Sequence, residues 1–360
     1  MGWELMISQY WRGCGKVSLL LFFCLFAAGA NSTLDAASTG TPPLPEAVLK
    51  SPAAARQAIL FVLEGVGKDS LKTATMPVLS RLIKTGAVTW DAAAVNPPLR
   101  LPTMASLITG LPVERHGITW NSFDFARGYP RPPTMFDYLD LSGGRDTTIF
   151  YMDESLYQLA KPEPYIDHQI CGALRPECNA TTVVSYIRQY FKKATSGHGY
   201  GHAIPSLPHL LIVHLPDAGR AGSAEGWTSK SYRDALQTVD RAMGDVLTIY
   251  EELGLSKETT VFVTSISPPG ADHFGDAEPV AVQAGAKPPH VLWLASGAGI
   301  KRGHVIGNPV SLIDTGATVM RALGLDTETH TEWQSHVIKE VFTNGSGEPG
   351  RTSGTERHGH

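Results

Sequence analysis

Apolar residues follow two alternating rhythms along the chain. QAILFVL (57–63), RDTTIFYM (145–152), PHLLIVHL (208–215), TTVFVTS (259–265) and PHVLWLAS (289–296) are short runs without regular polar alternation. Such runs are expected of strands buried on both faces, as in a parallel sheet. Between them, apolar positions recur every three or four residues. This helical spacing holds in MPVLSRLIKTGA (76–87), LPTMASLITG (101–110), TMFDYLDLSG (134–143), TTVVSYIRQYFKKA (181–194), SKSYRDALQTVDRAMGDVLTIYEELGL (229–255) and SLIDTGATVMRALGL (311–325). Gly86, Gly110 and Gly254 stand where three of these helices should stop, and Pro102 stands in the first turn of one. The alternation predicts an α/β sandwich, a mostly parallel central sheet with helices on both faces. Ligands of such sheets sit beyond the carboxyl ends of the strands. That edge holds Glu64 and the segments 96–103, 216–227 and 265–275.

The ends of the chain have a different character. After Arg12 and Lys16 comes the apolar run VSLLLFFCLFAAGA, which closes on Ala28-Gly29-Ala30. This pattern predicts a cleaved signal peptide over 1–30, since the run falls short of the roughly 20 residues a membrane span needs. A flexible leader over 31–55, an α/β domain over 56–335 and a polar tail over 336–360 complete the expected organisation. No later stretch is apolar enough to span a membrane, so no span is expected after cleavage, and the expected location is the secretory pathway or the cell exterior. In that setting Cys171 and Cys178, in CGALRPEC, are expected to form a local disulfide. Asn31, Asn179 and Asn344 each open an Asn-x-Ser/Thr glycosylation triplet. A net charge of -4 over 360 residues gives no footprint for nucleic acid.

Five blocks carry a resemblance: TMPVLSRLIKTGA, LPTMASLITGLPVERHGITWN, GWTSKSYRDALQTVDRAMG, TTVFVTS and SGAGIKRG, in that order. Together they resemble the alkaline phosphatase superfamily over roughly 56–325, and most of all its type I phosphodiesterase and nucleotide pyrophosphatase branch. The later part also looks similar to lipid-head-group phosphoethanolamine transferases. The resemblance implies a two-metal phosphoesterase, usually with zinc. In that chemistry a metal-held threonine or serine attacks phosphorus, and six carboxylate and imidazole ligands fix the ions.

This chain departs from that pattern at most of the positions the resemblance marks. The first ligand position, an aspartate after the first strand, is Glu64. The nucleophile position, two residues before Pro102, is Arg100, whose guanidinium has no acceptor atom and stays protonated. The next ligand pair falls on Gly219 and Ser223, with Asp217 two residues early and Arg220 nearby. The Asp-His pair after TTVFVTS falls on Ile266 and Ser267. Only His273, preceded by Asp272, keeps an imidazole in place. The expectation is therefore a phosphodiesterase-like protein without turnover and without a cofactor, acting as a binding or interaction module for a protein or a phosphate-containing ligand. The alternative is an active phosphodiesterase with a rearranged site holding zinc or another divalent cation. Arg100 is expected to fill the metal pocket and pair with Glu64 or Asp217, and with Arg220 it forms a candidate anion-binding pair. Arg115 and His116 are read as structural groups, and Asp240 and Asp314 as caps.

Overall fold

A computed structural model describes residues 55–161, 163, 166–170, 178–196, 206–270, 288–327 and 332–343. All of them belong to the unit Leu44–His360. The strands are β1 (Gln57–Leu63), β2 (Gly86–Ala93), β3 (Thr147–Tyr151), β4 (Ile166–Ile170), β5 (Leu210–Leu215), β6 (Thr259–Ser265), β7 (His290–Gly297) and β8 (His304–Val305). The helices are α1 (Ser70–Thr73), α2 (Pro77–Thr85), α3 (Arg100–Thr109), α4 (Val113–His116), α5 (Met135–Leu141), α6 (Ala180–Ser196), α7 (Asp217–Glu225), α8 (Lys230–Glu252) and α9 (Asp314–Ala322).

The sheet runs β4-β3-β5-β1-β6-β7-β2-β8. It is parallel from β4 to β6 and again between β2 and β8, and β7 runs antiparallel to both β6 and β2. This is the expected α/β sandwich, mixed but mostly parallel. β1 lies at the centre and divides its side chains by the strand period of two. Ala58, Leu60 and Val62 enter one core with α3, α5 and α9. Ile59, Phe61 and Leu63 enter the other with α2, α6 and α8. The two cores explain why strict polar alternation is missing from the strands.

Local sequence accounts for the ends of α3. Leu101 N–H donates to the Asn121 side chain at 2.9 Å, satisfying one of the open donors of the first turn. At the other end Gly110 takes a left-handed conformation (φ 62°), and a Cβ there would come within 2.6 Å of the Trp333 ring. The fold continues past 335: Val341 is fully buried, and Ile300 bridges to Phe342. No helix among the described residues is long and apolar enough to cross a membrane.

The expected Cys171–Cys178 bridge is corrected to a narrower statement. Among the described residues no disulfide joins two cysteines, because Cys171 lies outside them. Cys178 itself is described and is in disulfide form. Of the glycosylation triplets, Asn31 and Asn344 lie outside the described residues. Asn179 immediately precedes α6, and its side chain accepts the Thr182 N–H at 3.0 Å.

Candidate functional site

Glu64 follows the last residue of β1 and is 1% exposed. Its carboxylate meets the first residue of α3: Arg100 donates from Nε to Oε1 at 2.6 Å and from Nη2 to Oε2 at 3.0 Å. This two-pronged geometry is the strong form of an arginine–carboxylate contact. The third arm, Nη1, donates to Asp153 Oδ2 at 2.7 Å. Asp153 stands just beyond β3, and its other oxygen accepts from the Ser155 N–H and hydroxyl. His214 of β5 closes the cluster, with Nε2 at 2.8 Å from Glu64 Oε1. Met152 N–H approaches the His214 Nδ1 at 3.4 Å, so Nδ1 accepts and the Nε2 proton is donated to Glu64.

The electrostatics follow from these contacts. Burial alone would raise the Glu64 carboxyl, but the Arg100 charge and the His214 hydrogen bond outweigh it and bring it down to about 2. Asp153 is also lowered: burial opposes the shift, and Arg100 and the Ser155 hydroxyl overcome it. Arg100, at 7% exposure, is thus a buried cation held between two carboxylates that stay ionised.

The other marked positions serve the backbone. Gly65 adopts φ 68°, and a Cβ there would sit 2.7 Å from the Gly219 Cα and 2.8 Å from the Trp227 ring. The bare Cα of Gly65 therefore lets α7 come close behind the Glu64 loop, with Gly219 at the contact. Ser223 is exposed on α7. Ile266 is buried and donates its N–H to Leu63 O at 2.9 Å. Ser267 accepts the Gly65 N–H on its carbonyl at 2.9 Å and lies within 3.3 Å of it through Oγ. Ser265 Oγ donates to Ser267 O at 2.8 Å, and Tyr232 of α8 donates to Gly65 O at 2.8 Å. The loop after β1 is thus fastened from both sides.

Asp217 does not pair with Arg100. Its Oδ1 accepts Ala180 N–H at the start of α6, its Oδ2 has no partner among the described residues, and burial raises its pKa. Arg220 reaches Asp153 at 3.6 Å and donates to the carbonyls of Met152 and Cys178. The two arginines expected to grip an anion therefore differ: Arg100 is committed to carboxylates, and 38% of the Arg220 side chain remains exposed. Asp272 and His273 lie outside the described residues. The readings of His116 and Asp240 hold, and that of Asp314 as a cap is corrected: His116 Nδ1 accepts the Ile118 N–H, Asp240 caps α2 through Val78 and Leu79, and Asp314, already the first residue of α9, accepts the N–H groups of Ser311 and His336 outside the helix.

Sequence reasoning missed His214 and Asp153. A histidine inside LLIVHL had to find a buried partner, and an aspartate directly after TTIFYM lies at the ligand-bearing edge. Both signals were readable, although neither named the partner. The described donor set does not fit a resident metal: Glu64, Asp153 and His214 are gathered, but a guanidinium occupies the space between them. Among the described residues no group of three or more metal-binding side chains can hold an ion.

Comparison with known proteins agrees with this architecture. Ectonucleotide pyrophosphatase/phosphodiesterase family member 1 of mouse is 27% identical over 234 residues, covering 61% of this chain and 24% of the mouse protein. The rat protein is 26% identical over 213 residues, covering 55% and 22%. The chain thus spans about a quarter of the length of these relatives. Among solved structures, an inactive variant of murine ectonucleotide pyrophosphatase/phosphodiesterase 5 in complex with AMP superposes with a TM-score of 0.58 at 12% identity, covering 80% of this chain and all of the other. A protein from a Bacteroides thetaiotaomicron core genetic locus for the metabolism of multiple glycosaminoglycans gives 0.58 at 16% identity, covering 80% of this chain and 76% of the other. At these identities the superpositions show the shared fold. Residues 58–265, more than half of the chain, match the type I phosphodiesterase / nucleotide pyrophosphatase family, and the chain belongs to it.

Proposed function

We propose that this chain is a non-hydrolytic member of its family, a binding or interaction module of the secretory pathway or the cell exterior. The observation that carries this reading is Arg100, buried at the nucleophile position and bonded to Glu64 and Asp153. A permanently protonated guanidinium offers no lone pair to attack phosphorus or to hold a metal. It also consumes the carboxylate at the first ligand position. A phosphate-containing ligand is the partner class best supported by chemistry, because the cationic Arg220 side chain stays 38% exposed at this edge. The related murine fold that holds AMP supports the same class.

The test is elemental analysis of the purified chain, with turnover of bis-p-nitrophenyl phosphate measured in added zinc or manganese. Wild type and Arg100→Thr are both expected to lack stoichiometric metal and turnover. Restoring a hydroxyl does not restore ligands at Gly219, Ser223, Ile266 and Ser267. Two zinc ions per chain, or metal-dependent turnover abolished by His273→Ala, would overturn the proposal.

A further inference from the structure

A second site lies at the other edge of the sheet. A cavity of about 600 Å³ opens between α2 and α8, over the amino-terminal ends of β1 and β6 and the carboxyl end of β7. Its floor includes Ile59 of β1, five residues before Glu64 at the end of that strand, so it lies about 16 Å from the Arg100 cluster at ~3.3 Å per residue. The size falls in the ordinary range of small-molecule sites, roughly 300–1,000 Å³.

The cavity follows from how two helices are fastened. The amino end of α2 is held to α8 by Asp240, whose carboxylate accepts Val78 N–H at 3.0 Å and Leu79 N–H at 2.8 Å. Gly244 permits this approach, since a Cβ there would lie 3.0 Å from the Val78 side chain. The far end of α2 is tied to the sheet by the Thr85–Ser296 hydroxyl pair at 3.1 Å. Between these fastenings the cavity lies along α2 and α8, with Ile59, Leu82, Leu247 and Val261 in its lining. Tyr250 also lines it, and its buried hydroxyl has no hydrogen-bond partner among the described residues. Exposed Arg81 and Lys257 stand at the wall; neither is in an ion pair among the described residues, and the Arg81 charge also acts on the buried carboxylate of Asp240. Glu251 is the carboxylate beside them.

We propose that this cavity binds an amphipathic monoanion: an unbranched apolar chain in the wedge and a carboxylate head at Arg81 and Lys257. An apolar lining with two cations against one carboxylate selects a chain with a single negative end. A cationic head would meet two like charges against one carboxylate, and a neutral head would gain no ion pair. Each methylene entering the wedge should tighten binding about fourfold, until the cavity is full.

The experiment is calorimetric titration of the full chain with hexanoate, octanoate and decanoate, with decylammonium as the charge control. Expected are saturable 1:1 binding that strengthens with chain length, and decylammonium binding at least tenfold weaker. R81E/K257E, which alters exposed residues, should weaken decanoate at least tenfold, and L247W, which fills the wedge, should do the same. Circular dichroism confirms that both variants fold. No saturable binding of decanoate, equal binding of decylammonium, or binding unchanged in both variants would overturn the proposal. None of these outcomes bears on hydrolysis at the opposite edge.

Discussion

Arg100→Met tests the central claim about the Glu64 cluster. Methionine has a similar reach, packs in apolar surroundings and carries no charge. The wild-type Glu64 carboxyl lies at about 2 against an ordinary 4.5. At about 1.4 kcal/mol per tenfold, that gap corresponds to roughly 3 kcal/mol of folding stability. The folded value is depressed, so this contribution is complete above pH 4.5 and is lost as pH falls through about 2. Removing Arg100 leaves burial, the largest influence on Glu64, opposed mainly by His214, and the carboxyl should rise. At pH 7 the variant then keeps an uncompensated buried charge, which costs about 3–5 kcal/mol. Asp153 suffers less, because 20% of its side chain is exposed and Arg220 stands 3.6 Å away. Urea unfolding at pH 7 and pH 5 reads the effect. The R100M penalty should shrink at pH 5, where protonation relieves Glu64, and E64Q added to R100M should recover about half of it. A loss below about 1 kcal/mol at pH 7, or no recovery in the double variant, would refute the assignment of Arg100 as the counter-charge of Glu64.

Two further outcomes are expected. Gly65→Ala places a Cβ 2.7 Å from Gly219 in a left-handed backbone, so it should destabilise by about 2 kcal/mol or more in thermal unfolding; an unchanged melting temperature would contradict the packing of α7 behind this loop. His116 is lowered to about 4 by burial, against a smaller opposing pull from the Pro102 carbonyl, so its nitrogen NMR signals should stay those of a neutral ring down to about pH 5. Its contribution to stability should be complete above pH 6.5 and lost as pH falls through about 4, and a midpoint above 6 would contradict this environment.

How much of this was legible depended on which physical signal each segment carried. β1, β3, β5, β6 and β7 were readable because their apolar runs are bounded by turns. β2 was not: α2 passes into it at Gly86 without a loop, and GAVTWDAA mixes small residues with no clear period. α7 carries no helical signal, since DAGRAGSAE has two glycines and no apolar stripe. Its helix rests on close packing, with Gly222 against the Trp227 ring and Gly219 against Gly65. The Glu64–Arg100 contact was readable because a buried arginine needs a carboxylate. The choice of Asp153 over Asp217 was not, because it depends on β3 lying beside β5 and on α6 taking Asp217 as a cap.

The order in which these replacements act on one another decides whether the site could return to metal chemistry. A divalent ion about 4 Å from the Arg100 guanidinium would meet roughly 8 kcal/mol of repulsion at an effective dielectric of ~20. It would also compete for the Glu64 oxygens that the guanidinium already holds at 2.6 and 3.0 Å. With Arg100 removed, the repulsion falls, but Ile266 still presents a buried aliphatic side chain and Ser267 still holds the Gly65 N–H. A ligand at 267 would replace the hydroxyl 3.3 Å from the Gly65 N–H and keep the 2.9 Å contact to the 267 carbonyl. Gly65 and Gly219 also meet closely, since a Cβ on Gly65 would lie 2.7 Å from the Gly219 Cα. Removing the charge at Arg100 thus still leaves glycine at 219, serine at 223 and a buried aliphatic side chain at 266, and neither the glycine nor the isoleucine carries a side-chain donor for a metal.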